Sequence, residues 1–216
     1  MIGMILRFSL ILVCGLAVLF TGVVAFARAQ PIPDNGARSF LSPDGVTCLS
    51  LAPCFLGIQP GETSADAAFD LLKYHDWVEQ FYVYRGMESD SGLVQWTWSG
   101  AQPNYIDSTI PASMWFQHSI VSWIEVDLNL TFGDIWLLLD SPQTGRIHLM
   151  SSSPVRAFQL VDYENGGLQV RTEFNCPLRL TAFWRATVRV TVSNPLEPRL
   201  RAAPVAYRLP HPRECM

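Results

Sequence analysis

The chain lacks the short motifs by which the common enzyme classes are recognised. It contains no G-x-S-x-G nucleophile elbow, no P-loop and no G-x-G-x-x-G dinucleotide loop. Its four histidines never fall at H-x-x-x-H or H-E-x-x-H spacing, which excludes a metalloprotease of that type. They are His75, His118, His148 and His211. The sequence therefore predicts no enzyme, no metal site and no cofactor, and a hydrolase with an unrecognised site is the alternative.

Charged residues are also scarce. Only 16% of the 216 residues are charged and 49% are hydrophobic, a balance too apolar for a disordered chain. Residues 30–170 carry 5 basic and 16 acidic residues, a net charge of −11, whereas residues 171–216 carry 8 Arg and 3 Glu, a net charge of +5. Because the acidic majority repels phosphate and no nucleic-acid-binding motif occurs, the sequence predicts no nucleic-acid partner.

The N-terminus predicts export. Residues 8–27 carry no charge and follow Arg7, and Ala27-Arg28-Ala29 is an A-x-A cleavage pattern. The apolar run is about long enough to span a bilayer. Two outcomes follow: residues 1–29 are a cleaved signal peptide, or residues 5–27 stay as a single membrane anchor. Either outcome places residues 30–216 outside the cytoplasm.

Cysteine usage agrees with an oxidising compartment. Four cysteines lie beyond Cys14, an even number that suggests disulfides in an exported chain. They are Cys48, Cys54, Cys176 and Cys215. Of the three possible connectivities we favour Cys48 with Cys54, which closes a short loop, and Cys176 with Cys215, which holds the C-terminal tail.

Two stretches start with a turn and a helix signal. Thr63 and Asp66 fit a capping box with Thr63 as the N-cap, and an apolar stripe at helical spacing follows. Thr131 and Asp134 repeat that spacing. After each helix, alternating apolar residues predict antiparallel strands. The predicted strands are 81–85, 93–99 and 119–130 in the first stretch, and 156–163, 168–174 and 185–192 in the second.

These signals predict an α+β fold of two repeats, each a short helix packed on antiparallel strands, after an N-terminal hydrophobic helix. Pro- and Gly-rich residues 30–47 are interpreted as a linker. Repeat unit 1 covers residues 48–130 and repeat unit 2 covers residues 131–195. Residues 196–216 form a Pro- and Arg-rich tail.

The motif of a glycine, a capping residue and a short helix ending in Leu-Leu resembles two related groups. One is the small outer-membrane lipoprotein family of the β-barrel assembly machinery (SmpA/OmlA or BamE type), and the other is the β-lactamase-inhibitor-protein-like fold. The matching stretches are Gly61-Glu62-Thr63 with Leu71-Leu72, and Gly133-Asp134 with Leu138-Leu139-Asp140-Ser141-Pro142. The resemblance implies an extracytoplasmic, non-enzymatic interaction module and names no partner.

The seven tryptophans are the most unusual feature of the composition. Trp96 and Trp98 share one face of a predicted strand, and Trp123 lies on a strand face with Glu125 and Asp127. Such residues fill a core, form a protein-binding surface or stack on sugar rings. The sequence therefore predicts an exported or membrane-anchored, non-catalytic module with an unknown protein partner. The alternative is a carbohydrate- or cell-wall-binding domain that uses exposed Trp residues.

Overall fold

The computed structural model describes residues 12–22, 54–85, 90–139, 141–150, 155–163, 167–194 and 207. Contacts divide the chain into two units, Met1–Asp34 and Asn35–Met216. In the first unit, residues 12–22 are helical and exposed. No helix in the described residues is long and apolar enough to cross a membrane. The prediction that residues 5–27 span a membrane is corrected to that extent, and residues 5–11 and 23–27 of this segment lie outside the described residues.

The second unit consists of one antiparallel sheet and three short helices within its described residues. The helices are α1 (Ala65–Tyr74), α2 (Phe132–Leu139) and α3 (Leu180–Trp184). The strands are β1 (Val78–Arg85), β2 (Gly92–Trp98), β3 (Ala112–Gln117), β4 (Ile120–Thr131), β5 (Thr144–Met150), β6 (Arg156–Tyr163), β7 (Leu168–Asn175) and β8 (Thr187–Ser193). The sheet has eight strands in the order β1-β2-β3-β4-β8-β7-β6-β5.

The predicted fold of two helix-on-sheet repeats is wrong, because a single sheet takes in strands from both predicted units. β4 pairs with β8 along most of its length, from Trp123 opposite Ser193 to Thr131 opposite Thr187. Inside a sheet, the backbone N–H and C=O groups of a strand pair with those of its neighbouring strands. The pairing of β4 with β8 satisfies the inner edges of both halves, and only β1 and β5 are left as edge strands.

The described helices pack on one face of the sheet. Alternation along the strands sends every second side chain to that face, where Val94, Ile124 and Val190 are buried. Helix residues Ala68, Leu72, Phe132, Ile135 and Phe183 belong to the same core. We call the opposite side the helix-free face, since no described helix packs against it.

The entry to α1 is held by backbone hydrogen bonds to the start of β4. The Gly61 amide donates to the Val121 carbonyl at 2.7 Å, and the Val121 amide donates to the Thr63 carbonyl at 2.9 Å. The N-cap of α1 is Ser64, whose hydroxyl accepts from the Ala67 amide at 3.3 Å. The predicted cap at Thr63 is wrong, because the Thr63 hydroxyl instead accepts from the Gln59 amide.

The capping pair predicted for the second helix is confirmed. The Asp134 carboxylate accepts from the Thr131 amide at 2.8 Å and from the Thr131 hydroxyl at 2.7 Å. The Asp134 amide in turn donates to the Thr131 hydroxyl at 3.2 Å. This reciprocal arrangement satisfies two of the donors that a helix start leaves open. It lets α2 begin directly at the end of β4.

Three elements were missing from the sequence prediction. β3 has strictly alternating burial but only six residues. It follows a polar, Pro-containing stretch whose composition is typical of a loop. β5 is an edge strand whose residues are almost all partly exposed, so it shows no clear alternation. α3 has five residues and no side-chain cap, and it is fixed by Phe183, which packs between Phe132 and Phe174.

We expect Gly61→Ala to destabilise the protein more than Gly100→Ala. Both glycines have a positive φ, +88° and +94°, so each alanine carries a backbone penalty of about 1–2 kcal/mol. A Cβ at Gly61 would also lie 2.5 Å from Asn194 Nδ2, whereas nothing lies within 4 Å at Gly100. Overpacking should add about 1–3 kcal/mol at Gly61 alone. Urea unfolding of both variants measures the difference, and equal losses would contradict the close approach of this loop to the end of β8.

Candidate functional site

An apolar row crosses the first four strands on the helix-free face. Strand register places Tyr84 opposite Leu93, and Trp115 opposite both Leu93 and Trp123. Tyr84 is 54% exposed. Tyr82, which lies two residues earlier on the same face of β1, is 49% exposed. The other three side chains are half-buried. We use the name apolar row for Tyr84, Leu93, Trp115 and Trp123.

A charged cluster lies beside the apolar row, where β4 meets β8. Arg189 Nε lies 3.0 Å from both carboxylate oxygens of Asp127, and Arg189 Nη1 donates to Glu125 Oε1 at 3.2 Å. Asp127 and Arg189 are direct cross-strand partners, so the backbone pairing itself brings the charges together. Glu125, Asp127 and Arg189 form what we call the charged cluster. Trp123 lies on the same face of β4, two residues before Glu125.

Partial burial sets the protonation behaviour of this cluster. Burial raises the pKa of Glu125, and nearby Asp127 adds to that rise while Arg189 opposes it. Burial alone would lower the pKa of Arg189, but its hydrogen bond to Asp127 and the charge of Glu125 outweigh burial and raise it. Arg189 therefore stays a cation that is already matched by two carboxylates. The carboxylates of Glu125 and Asp127 thus share Arg189 as their cationic partner.

A second group of polar and aromatic side chains continues across β5, β6 and β7. Arg171 lies opposite Arg189 in the β7–β8 register and forms an ion pair with Glu173. Its guanidinium carbon lies 4.5 Å from the centre of the Phe158 ring, on which His148 stacks at 4.9 Å. Each arginine thus has its own anionic partner, which offsets the repulsion between two cations on neighbouring strands.

The structure separates the three tryptophans that were predicted as a possible binding face. Trp96 and Trp98 point into the core and are 0% and 7% exposed. Phe55 stacks against Trp96, and Trp98 Nε1 donates to the Ile110 carbonyl at 2.9 Å. Only Trp123 lies on the helix-free face. Trp96 and Trp98 therefore serve the core, which was one of the three roles considered for them.

The candidate site also contains residues that the sequence prediction missed. Trp115 was not assigned to any surface because β3 was not recognised, although Ala112, Met114 and Phe116 alternate with it at strand spacing. Arg189 was recognised as a strand residue, but nothing in the sequence says which strand lies opposite β8. The pairing with β4 joins positions 62 residues apart in the chain.

The predicted disulfides are only partly within the described residues. Cys14 is free and exposed. Cys54 and Cys176 are disulfide-bonded, and no disulfide joins two cysteines that both lie within the described residues. Cys48 and Cys215 lie outside the described residues, as do the linker at 30–47 and, except for Tyr207, the tail at 196–216. The pairing of Cys48 with Cys54 and of Cys176 with Cys215 stays a prediction.

Among the described residues, no group of three or more His, Cys, Asp or Glu side chains could hold a metal ion. His75 caps the end of α1, and its Nδ1 accepts from the Trp77 amide at 3.1 Å. Burial lowers the pKa of His75, opposed by Asp76. This arrangement gives His75 a structural role at the turn from α1 into β1.

We expect Glu125→Gln to change how stability depends on pH. Because the pKa of Glu125 is raised above 4.5 in the folded state, the folded protein holds this proton more tightly than the unfolded chain. We therefore subtract the free energy of unfolding of Glu125→Gln from that of the unmodified protein. This difference should decrease as the pH rises above about 4.5, and it should level off above the raised pKa of Glu125. Urea unfolding between about pH 4 and about pH 8 measures it.

Glu62→Gln is the matched control, since Glu62 is exposed and lies outside the sheet. It removes the same charge without touching the cluster. A difference between the unmodified protein and Glu125→Gln that is flat with pH, or that rises with pH, would contradict the burial of Glu125.

Comparisons with protein-family models, with curated proteins and with solved structures find no significant match. The resemblance to the BamE-type and β-lactamase-inhibitor-protein-like groups therefore stays a prediction, and the candidate site is defined by its own geometry alone.

Proposed function

We propose that this chain is an exported, non-catalytic interaction module that binds a protein partner through the helix-free face of its sheet. The observation that carries the proposal is the apolar row beside the charged cluster. Trp, Tyr and Arg are the residues that most often dominate the energetics of protein interfaces. Here Tyr84, Trp115 and Trp123 lie within one strand-to-strand row, and Glu125, which pairs with Arg189, follows Trp123 by two residues on the same face of β4.

The partial burial of the tryptophans and the internal pairing of the charges both favour binding. Half-buried tryptophans are already held by their neighbours, so a partner that covers them immobilises few rotamers. The charged cluster is paired internally, so it presents an ordered polar border to the apolar row and needs no counter-ion from a partner. An apolar centre with a polar border is the usual anatomy of a protein interface.

The paired state of the carboxylates favours binding over catalysis. Glu125 and Asp127 are two residues apart on one strand and share Arg189 as their partner. A glycoside hydrolase needs two carboxylates that face each other across a cleft, with different protonation states. The glycan alternative rested on Trp96 and Trp98, whose burial leaves Trp123 as the one predicted tryptophan on this face.

The N-terminal sequence supports the exported part of the proposal. The uncharged residues 8–27 and the A-x-A pattern at Ala27–Ala29 are typical of export signals. Sequencing the N-terminus of the mature protein tests this part separately from the binding face. A mature chain that starts at Gln30 is the result that cleavage after Ala29 predicts.

We expect Trp123→Ala and Trp115→Ala to weaken binding to the partner by about tenfold or more, as loss of a central interface aromatic does. Chemical cross-linking and affinity capture from the source cells identify the partner, and titration of the purified partner gives the affinities. Leu137→Ala is the matched control, since Leu137 is a 61% exposed apolar residue on α2. Far-ultraviolet circular dichroism checks that each variant is folded.

Equal capture by Trp123→Ala, Trp115→Ala and the unmodified chain would contradict this binding face. A change in tryptophan fluorescence on addition of a glycan, abolished by Trp123→Ala, would instead favour carbohydrate recognition on the same face. Failure to capture any protein from the source cells would remove the support for a protein partner.

A further inference from the structure

The two edge strands of the sheet differ in how far the chain itself covers them. Beside β5, the Tyr207 amide donates to the Gln143 carbonyl at 3.4 Å. The Tyr207 ring also lies so close to Gly145 that an added Cβ would be 2.7 Å from Tyr207 Cδ2. Beside β1, in contrast, residues 80–84 have no backbone partner other than β2 among the described residues. Alternate residues of β1 therefore direct open N–H and C=O groups away from the sheet.

β1 also lacks the features that usually protect an edge strand. Residues 80–84 (Gln-Phe-Tyr-Val-Tyr) contain no charge, no proline and no glycine. The one irregularity in its register lies between Val78 and Gln80, so the stretch after it is regular. Tyr82, Val83 and Tyr84 are 49%, 37% and 54% exposed. A regular, uncharged and partly apolar edge of this kind favours the addition of another strand.

We propose that β1 pairs antiparallel with β1 of a second copy of this chain, on a two-fold axis at Tyr82. In this register Tyr82 lies opposite the partner's Tyr82, and Phe81 lies opposite the partner's Val83. Gln80 then faces the partner's Tyr84. Opposed residues in an antiparallel pair share a face, so the aromatic–β-branched pair falls on the core side and the tyrosines fall on the helix-free face.

A second copy fits this edge better than a foreign strand, because residues 80–84 are compatible with the same residues of another copy. A two-fold interface brings the residue on the axis against itself, so a charge on the axis would meet a like charge. Residues 80–84 carry none. They also offer no charge by which a foreign strand could be selected. The pairing would join two helix-free faces edge to edge and bring the apolar rows of both copies, which end at Tyr84, to the axis.

The test is the mass of the full-length chain in a mild detergent, measured by sedimentation velocity over a concentration series. The unmodified chain should shift from one copy to two as its concentration rises. Tyr82→Lys should stay monomeric at concentrations where the unmodified chain is dimeric, because two lysines would face each other on the axis. Leu149→Lys is the matched control on the other edge strand, where Leu149 is 54% exposed, and it should dimerise normally.

Amide hydrogen exchange locates the contact. Exchange at residues 80–84 should slow as the concentration of the unmodified chain rises, and should not slow in Tyr82→Lys. A monomer at every concentration, a dimer unaffected by Tyr82→Lys, a dimer disrupted by Leu149→Lys, or concentration-independent exchange at residues 80–84 would each overturn the proposal. Trp123→Ala should dimerise normally, which separates this result from the test of the partner-binding face.

Discussion

The pairing of β4 with β8 is the contact on which the rest of the fold depends. It joins two four-stranded halves whose strands otherwise pair only with their neighbours in the chain. On the core side it brings Val126 opposite Val190 and Ile124 opposite Val192. On the helix-free face it brings Asp127 opposite Arg189. Hydrophobic burial and a charged hydrogen bond thus enforce the same register, and a slip of one residue would turn every side chain to the wrong face.

The candidate site follows from this register. Glu125 and Asp127 face Arg189 only because β8 lies beside β4, and Trp123 precedes them on the same strand. The apolar row then extends outwards over β3, β2 and β1, each strand contributing one side chain. The described helices leave this face uncovered because they pack on the core side of the sheet, where Ala65, Ala68 and Leu72 of α1 are buried.

The sequence predicted a local feature correctly where one strong local pattern determines it. The alternation of Val94, Trp96 and Trp98 predicted their common face, and Thr131 with Asp134 predicted the start of α2. The single sheet was not predictable in this way, because no local pattern specifies that β8 pairs with β4 across 62 residues. The same limit applies to the site. Trp123, Glu125 and Asp127 were placed on one face, whereas Arg189 and Trp115 come from strands whose neighbours only the tertiary fold determines.

The most direct measurement of the central claim is a set of nuclear Overhauser contacts between backbone protons of β4 and β8. One continuous sheet predicts contacts that link Ile124 with Val192 and Val126 with Val190. Their presence would place Trp123, Glu125, Asp127 and Arg189 on one surface. Two separate four-stranded sheets would lack all of these contacts, and that result would contradict both the fold and the binding face built on it.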